Sequence, residues 1–200
     1  MVEIYKKNIS IPISNEEIRL KLLLLPIQLQ NKISKYSSNE KKQQRLDGLA
    51  LLSDALKKNN RDEKDIFLFS YNNFGKPFIS TDIDFSISYS GTAVILGFVK
   101  KGIIGVDIEQ IRPIDCKQFK DYFTRNEWDF LTQNRYNNVH FFRLWTRKEA
   151  AAKAIGKGAF LDFNLFDVLE NTIMIEGVNL KLTTELEGGF CYSIATSQEQ

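Results

Sequence analysis

Read for apolar and polar positions, the chain alternates between period-two runs and helical ones. Residues 2–8 alternate as an edge strand does. Residues 15–25 form an amphipathic helix, with Asn15 able to cap its start, Glu16 and Glu17 in the first turn, and Pro26 to end it. A longer helix is predicted over 39–59, where Leu46, Leu49, Leu52 and Leu56 recur at helical spacing. Residues 65–70 read as a strand, and Asn72-Asn73-Phe74-Gly75-Lys76-Pro77 is turn chemistry. A hairpin follows over 84–89 and 92–100, with Ser90-Gly91 at the bend; Lys101-Gly102 then turns into a third strand over 103–109. Pro113 closes that region, and short helices fit 115–123 and 126–133. The strongest helix spans 138–155 and stops at Gly156, with Lys153 in its last turn. Beyond an apolar stretch over 159–166, strands fit 166–169, 172–175, 178–184 and 190–195.

Helix-rich segments followed by antiparallel strands thus occur twice. Arg45-Leu46 and Arg143-Leu144 sit at matching places in the two long helices. This order predicts an α+β fold of two similar halves, 1–101 and 102–200, packed face to face with a cleft between them. No low-complexity linker separates them.

Composition narrows the function classes. The 15 phenylalanines require large apolar surfaces to be buried or offered to a partner. A formal charge of +2, from 27 Lys and Arg against 25 Asp and Glu, gives no support to a nucleic-acid binder and suits an anionic ligand or an acidic partner. Cys116 and Cys191 have no CxxC spacing and read as reduced thiols. The start, Met1-Val2-Glu3-Ile4-Tyr5, lacks a signal-peptide pattern, and the apolar stretch 22–27 is too short for a membrane span, so a cytoplasmic protein is expected. His140 is the one histidine, read as a packed structural residue; histidine triads and multi-histidine metal sites are excluded, leaving carboxylates or lysines for acid–base work.

Three segments carry candidate chemistry. In Gly105-Val106-Asp107-Ile108-Glu109, strand geometry puts both carboxylates on one face, where they repel unless a cation or proton relieves them. Hard oxygens of this kind suit Mg²⁺, which takes few carboxylates and completes its shell with phosphate and water; an edge strand with a solvated face is the bland alternative. In Trp145-Thr146-Arg147-Lys148-Glu149-Ala150-Ala151-Ala152-Lys153, Trp145, Glu149 and Lys153 share one stripe. An i,i+4 surface ion pair explains Glu149 and Lys153 by themselves, but an aromatic on the same stripe places it against something. Finally, Lys76 on the Gly75-Lys76-Pro77 turn, with the hydroxyls and amides of Ser86-Ile87-Ser88-Tyr89-Ser90-Gly91, makes a setting able to receive phosphate.

In their order along the chain these segments resemble the 4′-phosphopantetheinyl transferases, specifically the pseudo-dimeric type that activates surfactin synthetase, over residues 32–195. The resemblance implies a Mg²⁺-dependent transfer of phosphopantetheine from coenzyme A to a serine of an apo acyl or peptidyl carrier protein, with Mn²⁺ as an alternative ion. It implies a monomer with internal pseudo-symmetry, and neither nucleic acid nor membrane as a partner. By the resemblance, Asp107, Glu109 and Glu149 hold the metal, Lys153 meets the coenzyme A phosphates, and Glu127 is a further acidic position, either it or Glu149 taking the serine proton. Lys76, Pro77, Ser88, Tyr89, Ser90 and Gly91 match coenzyme A contacts; Arg45 matches a 3′-phosphate contact and Lys32 an adenine-side one. Tyr89 stands where the family usually has histidine, and Ser86 where it has asparagine, which supports a catalytically impaired coenzyme A- or carrier-binding module as the alternative. The apolar run over 158–163, with Phe160 and nearby Lys157, reads either as core or as a docking patch for the carrier.

Overall fold

The computed structural model describes residues 1–9, 11–79 and 82–197. Strand β1 (Val2–Asn8) precedes three helices, α1 (Asn15–Leu23), α2 (Ile27–Ser34) and α3 (Asn39–Lys58). Ser14, one residue before the expected cap, starts α1 by accepting from the Glu17 amide. Pro26 does end that helix, but it also opens α2, which the sequence pattern did not suggest and which carries Lys32.

The expected strand over 65–70 is instead a 3₁₀ helix, Glu63–Leu68, leading into the two-residue strand β2 (Ser70–Tyr71). Asp62 caps it by accepting from the Lys64 amide, so local capping overrides the short apolar run. β2 pairs with β3 (Pro77–Phe78) around the Asn72–Lys76 turn. Then β4 (Asp84–Ser90) and β5 (Ala93–Val99) form the expected hairpin.

The second half begins with β6 (Ile104–Gln110), followed by a 3₁₀ helix at Cys116–Tyr122, then α4 (Arg125–Gln133) and α5 (Asn138–Ile155). Gly156 ends α5 in the left-handed region at φ 84°. The expected strand over 166–169 is absent; that segment is irregular, and strands β7 (Thr172–Ile175), β8 (Val178–Glu187) and β9 (Phe190–Ser197) follow.

The sheets run β1-β5-β4 and β6-β9-β8-β7, all antiparallel. Each half therefore lays a strand, a long helix and a hairpin so that the first strand pairs with the last. Along β5, Val94, Leu96 and Phe98 face Leu52, Ala55 and Leu56 of α3. The alternate residues Ile95 and Val99 meet Val106, Ile108 and Tyr192 of the other sheet. On the far side α5 packs on the second sheet, with Ala150 and Ala154 coming down on β6 and its other buried residues sharing a core with Cys191 and Ala195 of β9. The result is four layers, helix, sheet, sheet and helix, and each fully buried Leu, Ile or Phe contributes about 1.5–3 kcal/mol. Both cysteines are buried free thiols. No helix among the described residues is long and apolar enough to cross a membrane.

Candidate active site

The site lies where the edges of the two sheets, β4 and β6, meet α5. Odd-numbered residues of β6 face α5, and Gly105 lets the helix come down on the strand: a Cβ there would overlap the backbone of Ala150 and Ala154. That approach brings Lys153 Nζ to 2.6 Å from Asp107 Oδ1 and 3.1 Å from Ser88 Oγ.

Across the seam, β4 supplies a row of side-chain oxygens. Asp84 Oδ2, Ser86 Oγ, Ser88 Oγ and Ser90 Oγ accept from the amides of Ile104, Val106, Ile108 and Gln110 at 2.8, 3.1, 3.4 and 3.0 Å. These are the β6 amides that point away from β9, and the side chains of β4 stand in for a backbone ladder. The same hydroxyls donate onward: Ser88 to Asp107 Oδ1 at 2.7 Å and Ser90 to Glu109 Oε2 at 2.8 Å. One strand thus fixes both carboxylates of the next.

Asp107 is buried, and its Oδ2 has no hydrogen-bond partner. Burial pushes the Glu109 carboxyl up, against the Ser90 hydroxyl, with the Asp107 charge adding to the rise. Burial also raises Glu149, opposed by Lys153 and reinforced by Asp107 and Glu109. Three carboxylates share one desolvated corner with Lys153, and with Arg112 acting on Glu109, which still leaves a surplus of negative charge that a bound cation would relieve. Among the described residues no three such side chains already converge as a formed metal cage; Lys153 stands against Asp107 instead. The orphan oxygen and the oxygen-only donor set nonetheless fit a hard divalent ion.

The other expected residues divide. Lys32, Arg45, Pro77 and Tyr89 line a cleft of about 250 Å³ in the first half, together with Tyr36 and Tyr71. Lys32 Nζ lies 3.5 Å from the centre of the Tyr71 ring, and the Arg45 guanidinium lies 3.8 Å from the Tyr89 ring. Arg45 Nε has no partner. Burial pushes the Tyr89 phenol up to about 12, against the pull of Arg45. Gly75, Pro77 and Ile87 also line a second hollow of about 220 Å³, bordered by Lys76 and Lys153, so the two hollows are neighbours across those three residues. Ser90 and Gly91 line a third with Arg45 and Tyr89.

Lys76 borders the second hollow, but its ammonium group is engaged by the protein itself. Its Nζ meets Asp84 Oδ2 at 2.6 Å and the carbonyls of Ile104 and Ala154 at 3.2 and 3.4 Å, holding the last turn of α5. Glu127 is not brought to the carboxylate group. It is fully buried, paired with Lys148 at 2.8 Å, and takes the amides of Thr124 and Val168; its Asn-Glu-Trp context resembled a site, but its carboxylate is spent on a helix cap and an ion pair. Asp84, Tyr36 and Tyr71 are the residues that sequence reasoning left out, while Ser86, expected as a hydroxyl for phosphate, accepts from the Val106 amide. The Asp84–Ser90 alternation of polar side chains was the available signal for Asp84.

A family model for the 4′-phosphopantetheinyl transferase superfamily matches residues 103–193. The 4′-phosphopantetheinyl transferase Sfp of Bacillus subtilis (strain 168) is 30% identical over 171 residues, 84% of this chain and 76% of that protein. The chain belongs to the 4′-phosphopantetheinyl transferase superfamily. Another relative, the 4′-phosphopantetheinyl transferase gsp of Aneurinibacillus migulanus, is 41% identical over 106 residues; that match spans 52% of this chain but only 44% of gsp. A solved holo-[acyl-carrier-protein] synthase (AcpS) of Thermotoga maritima superposes at a TM-score of 0.39 and 12% identity over 49% of this chain and 64% of that one. The segment matched by the transferase family model holds β6 and α5 whole, and with them Asp107, Glu109, Glu149 and Lys153.

Proposed function

We propose that this chain is a cytoplasmic enzyme that transfers 4′-phosphopantetheine from coenzyme A to a serine hydroxyl of an apo acyl or peptidyl carrier protein, releasing 3′,5′-ADP. The observation that carries the reading is the desolvated carboxylate corner, with its orphaned Asp107 oxygen and with Lys153, which lines a hollow next to the cleft of Lys32 and Arg45. A diphosphate with a 3′-phosphate at its nucleoside end needs positive charge at two separated places, and the two neighbouring hollows carry it, Lys153 in one and Lys32 with Arg45 in the other.

Asp107, Glu109 and Glu149 would hold the Mg²⁺ or Mn²⁺. Such an ion, when bound, offsets the charge that builds up on the departing phosphate. Lys153 turns from Asp107 to the diphosphate oxygens and adds a second positive charge there. Arg45 and Lys32 take the 3′-phosphate end. Glu149, whose carboxyl burial holds above the ordinary range, accepts the serine proton as its oxygen attacks phosphorus. No covalent intermediate on the protein is needed. Glu127 has no free oxygen for the proton.

In the segment after α5, Phe160 and Leu165 stand 71% and 79% exposed, and Phe160 touches Phe74 with ring centres 5.6 Å apart. Phe160, left in water within the 158–163 run, and Leu165 just beyond it favour a docking ledge for the carrier.

The deciding measurement is the mass of candidate apo-carriers after incubation with the protein, Mg²⁺ and coenzyme A. Phosphopantetheine addition is expected, and Asp107→Ala and Glu149→Gln should each cut turnover by about 10³-fold or more with the fold retained. Near-normal turnover by either variant would defeat the assigned roles. Coenzyme A binding without any mass gain would favour a non-catalytic binding module.

A further inference from the structure

Lys148 and Glu127 are both fully buried, yet neither belongs to the carboxylate corner. Lys148 Nζ donates to the carbonyls of Phe163 and Phe166 at 2.6 and 2.7 Å and lies 2.8 Å from Glu127 Oε2, which accounts for all three ammonium hydrogens. Glu127 Oε2 also accepts from the Thr124 amide at 2.8 Å, while Oε1 accepts from the Val168 amide at 2.8 Å. Thr124 completes the knot by donating its hydroxyl to Asp167 at 2.9 Å.

Apart from the Thr124 amide, the backbone groups served this way lie in the segment between α5 and β7, where no strand ladder can satisfy them. Phe163 anchors the same segment inward, packed edge-on against Trp145 and Phe166, while Phe160 and Leu165 are left facing out. Lys148 is the residue next to Glu149 on α5. The exposed ledge and the carboxylate assigned to proton transfer therefore hang from one turn of helix.

We propose that the Glu127–Lys148 pair is a positioning device: it sets the 158–168 segment so that a carrier docked on Phe160 and Leu165 presents its serine to Glu149. This rests on the transfer reading above, and it gives Glu127 a part in carrier recognition and none in the chemistry. A buried ion pair suits the task because losing one partner strands the other's charge, so the segment has one good arrangement.

Two variants test it, Lys148→Met and the double Glu127→Leu/Lys148→Met, the second leaving no lone buried charge if the first fails to fold. Amide exchange over 163–168 should quicken by about tenfold or more while β8 and β9 stay protected. In transfer assays the carrier KM should rise about tenfold, with kcat at saturating carrier and the coenzyme A KM within about threefold of the unaltered protein. A kcat loss of about a hundredfold at unchanged carrier KM would put Glu127 in the chemistry and overturn the proposal. Unchanged exchange over 163–168 would overturn it too, by showing that the pair holds nothing in place. If the unaltered protein modifies no carrier, the transfer reading alone fails, and the exchange rates still decide whether the pair sets the segment.

Discussion

At Gly105 a side chain as small as a methyl group would run into the Ala150 carbonyl and the Ala154 amide, and both belong to helix backbone that cannot rotate away. Gly105→Ala should therefore cost about 2–4 kcal/mol in urea unfolding and weaken transfer, since α5 carries Glu149 and Lys153. An alanine variant as stable as the parent would show that helix and strand are not in the contact described. Tyr89 poses a second question at this scale. Its phenol lies over Gly48, where a Cβ would come within 3.0 Å of ring carbons, and under the Arg45 guanidinium. Under the proposed function, a neutral phenol in place of a histidine would give the 3′-phosphate no charge. Tyr89→His is expected to raise the preference for coenzyme A over its dephospho form by several-fold, read from the two KM values; constants that do not move would remove Tyr89 from that contact.

Strand β4 is the element whose meaning changed most between sequence and structure. Its serines read as a turn able to receive phosphate, and they turned out to replace a missing ladder along β6. Ser86→Ala strands the buried Val106 amide and should cost about 1–3 kcal/mol. Ser90→Ala should cost less in stability, because water can reach the more exposed Gln110 amide, yet it frees the Glu109 carboxylate and should weaken metal binding. Denaturant midpoints for the pair, with Mg²⁺ titrations beside them, check both statements; equal destabilisation would mean that burial along the seam does not matter. Helix α5 was legible almost to the residue, from its apolar face, its Gly156 stop and its Lys153 in the last turn. The 3₁₀ helix Glu63–Leu68 and the irregular segment after α5 were not legible. Short apolar runs of four to six residues carry no reliable period, and what settled them was an Asp62 cap in one place and the Lys148 ammonium in the other.

For the whole molecule, a divalent ion held at the carboxylate corner, as proposed, would link metal binding to stability. Glu109 and Glu149 are raised in the folded state, so the fold binds their protons more tightly than the unfolded chain does. Their contribution is full below the ordinary carboxylate range and is lost as pH rises through the raised values. Above that window both groups are charged and crowded, which is where a divalent ion has most to offset. Saturating Mg²⁺ should lift the melting temperature more at about pH 7.5 than at about pH 5, and Asp107→Asn should remove the difference. A lift that is the same at both pH values would count against these residues as the ligands.

The sequence by itself determined the local elements with strong period or strong punctuation, the repeated order of helix and hairpin, and the residue types at the site. Pairing Asp107 with Glu109 needed only the two-residue period of a strand, and pairing Glu149 with Lys153 only the helical one. Their meeting depended on Gly105, whose missing side chain does its work on a helix some forty-five residues away. The partners that Glu127 and Lys76 find were undetermined in the sequence for the same reason. A carboxylate or an ammonium group looks alike in sequence whether it faces a substrate or a buried backbone, and only packing from distant segments decides which partner reaches it first.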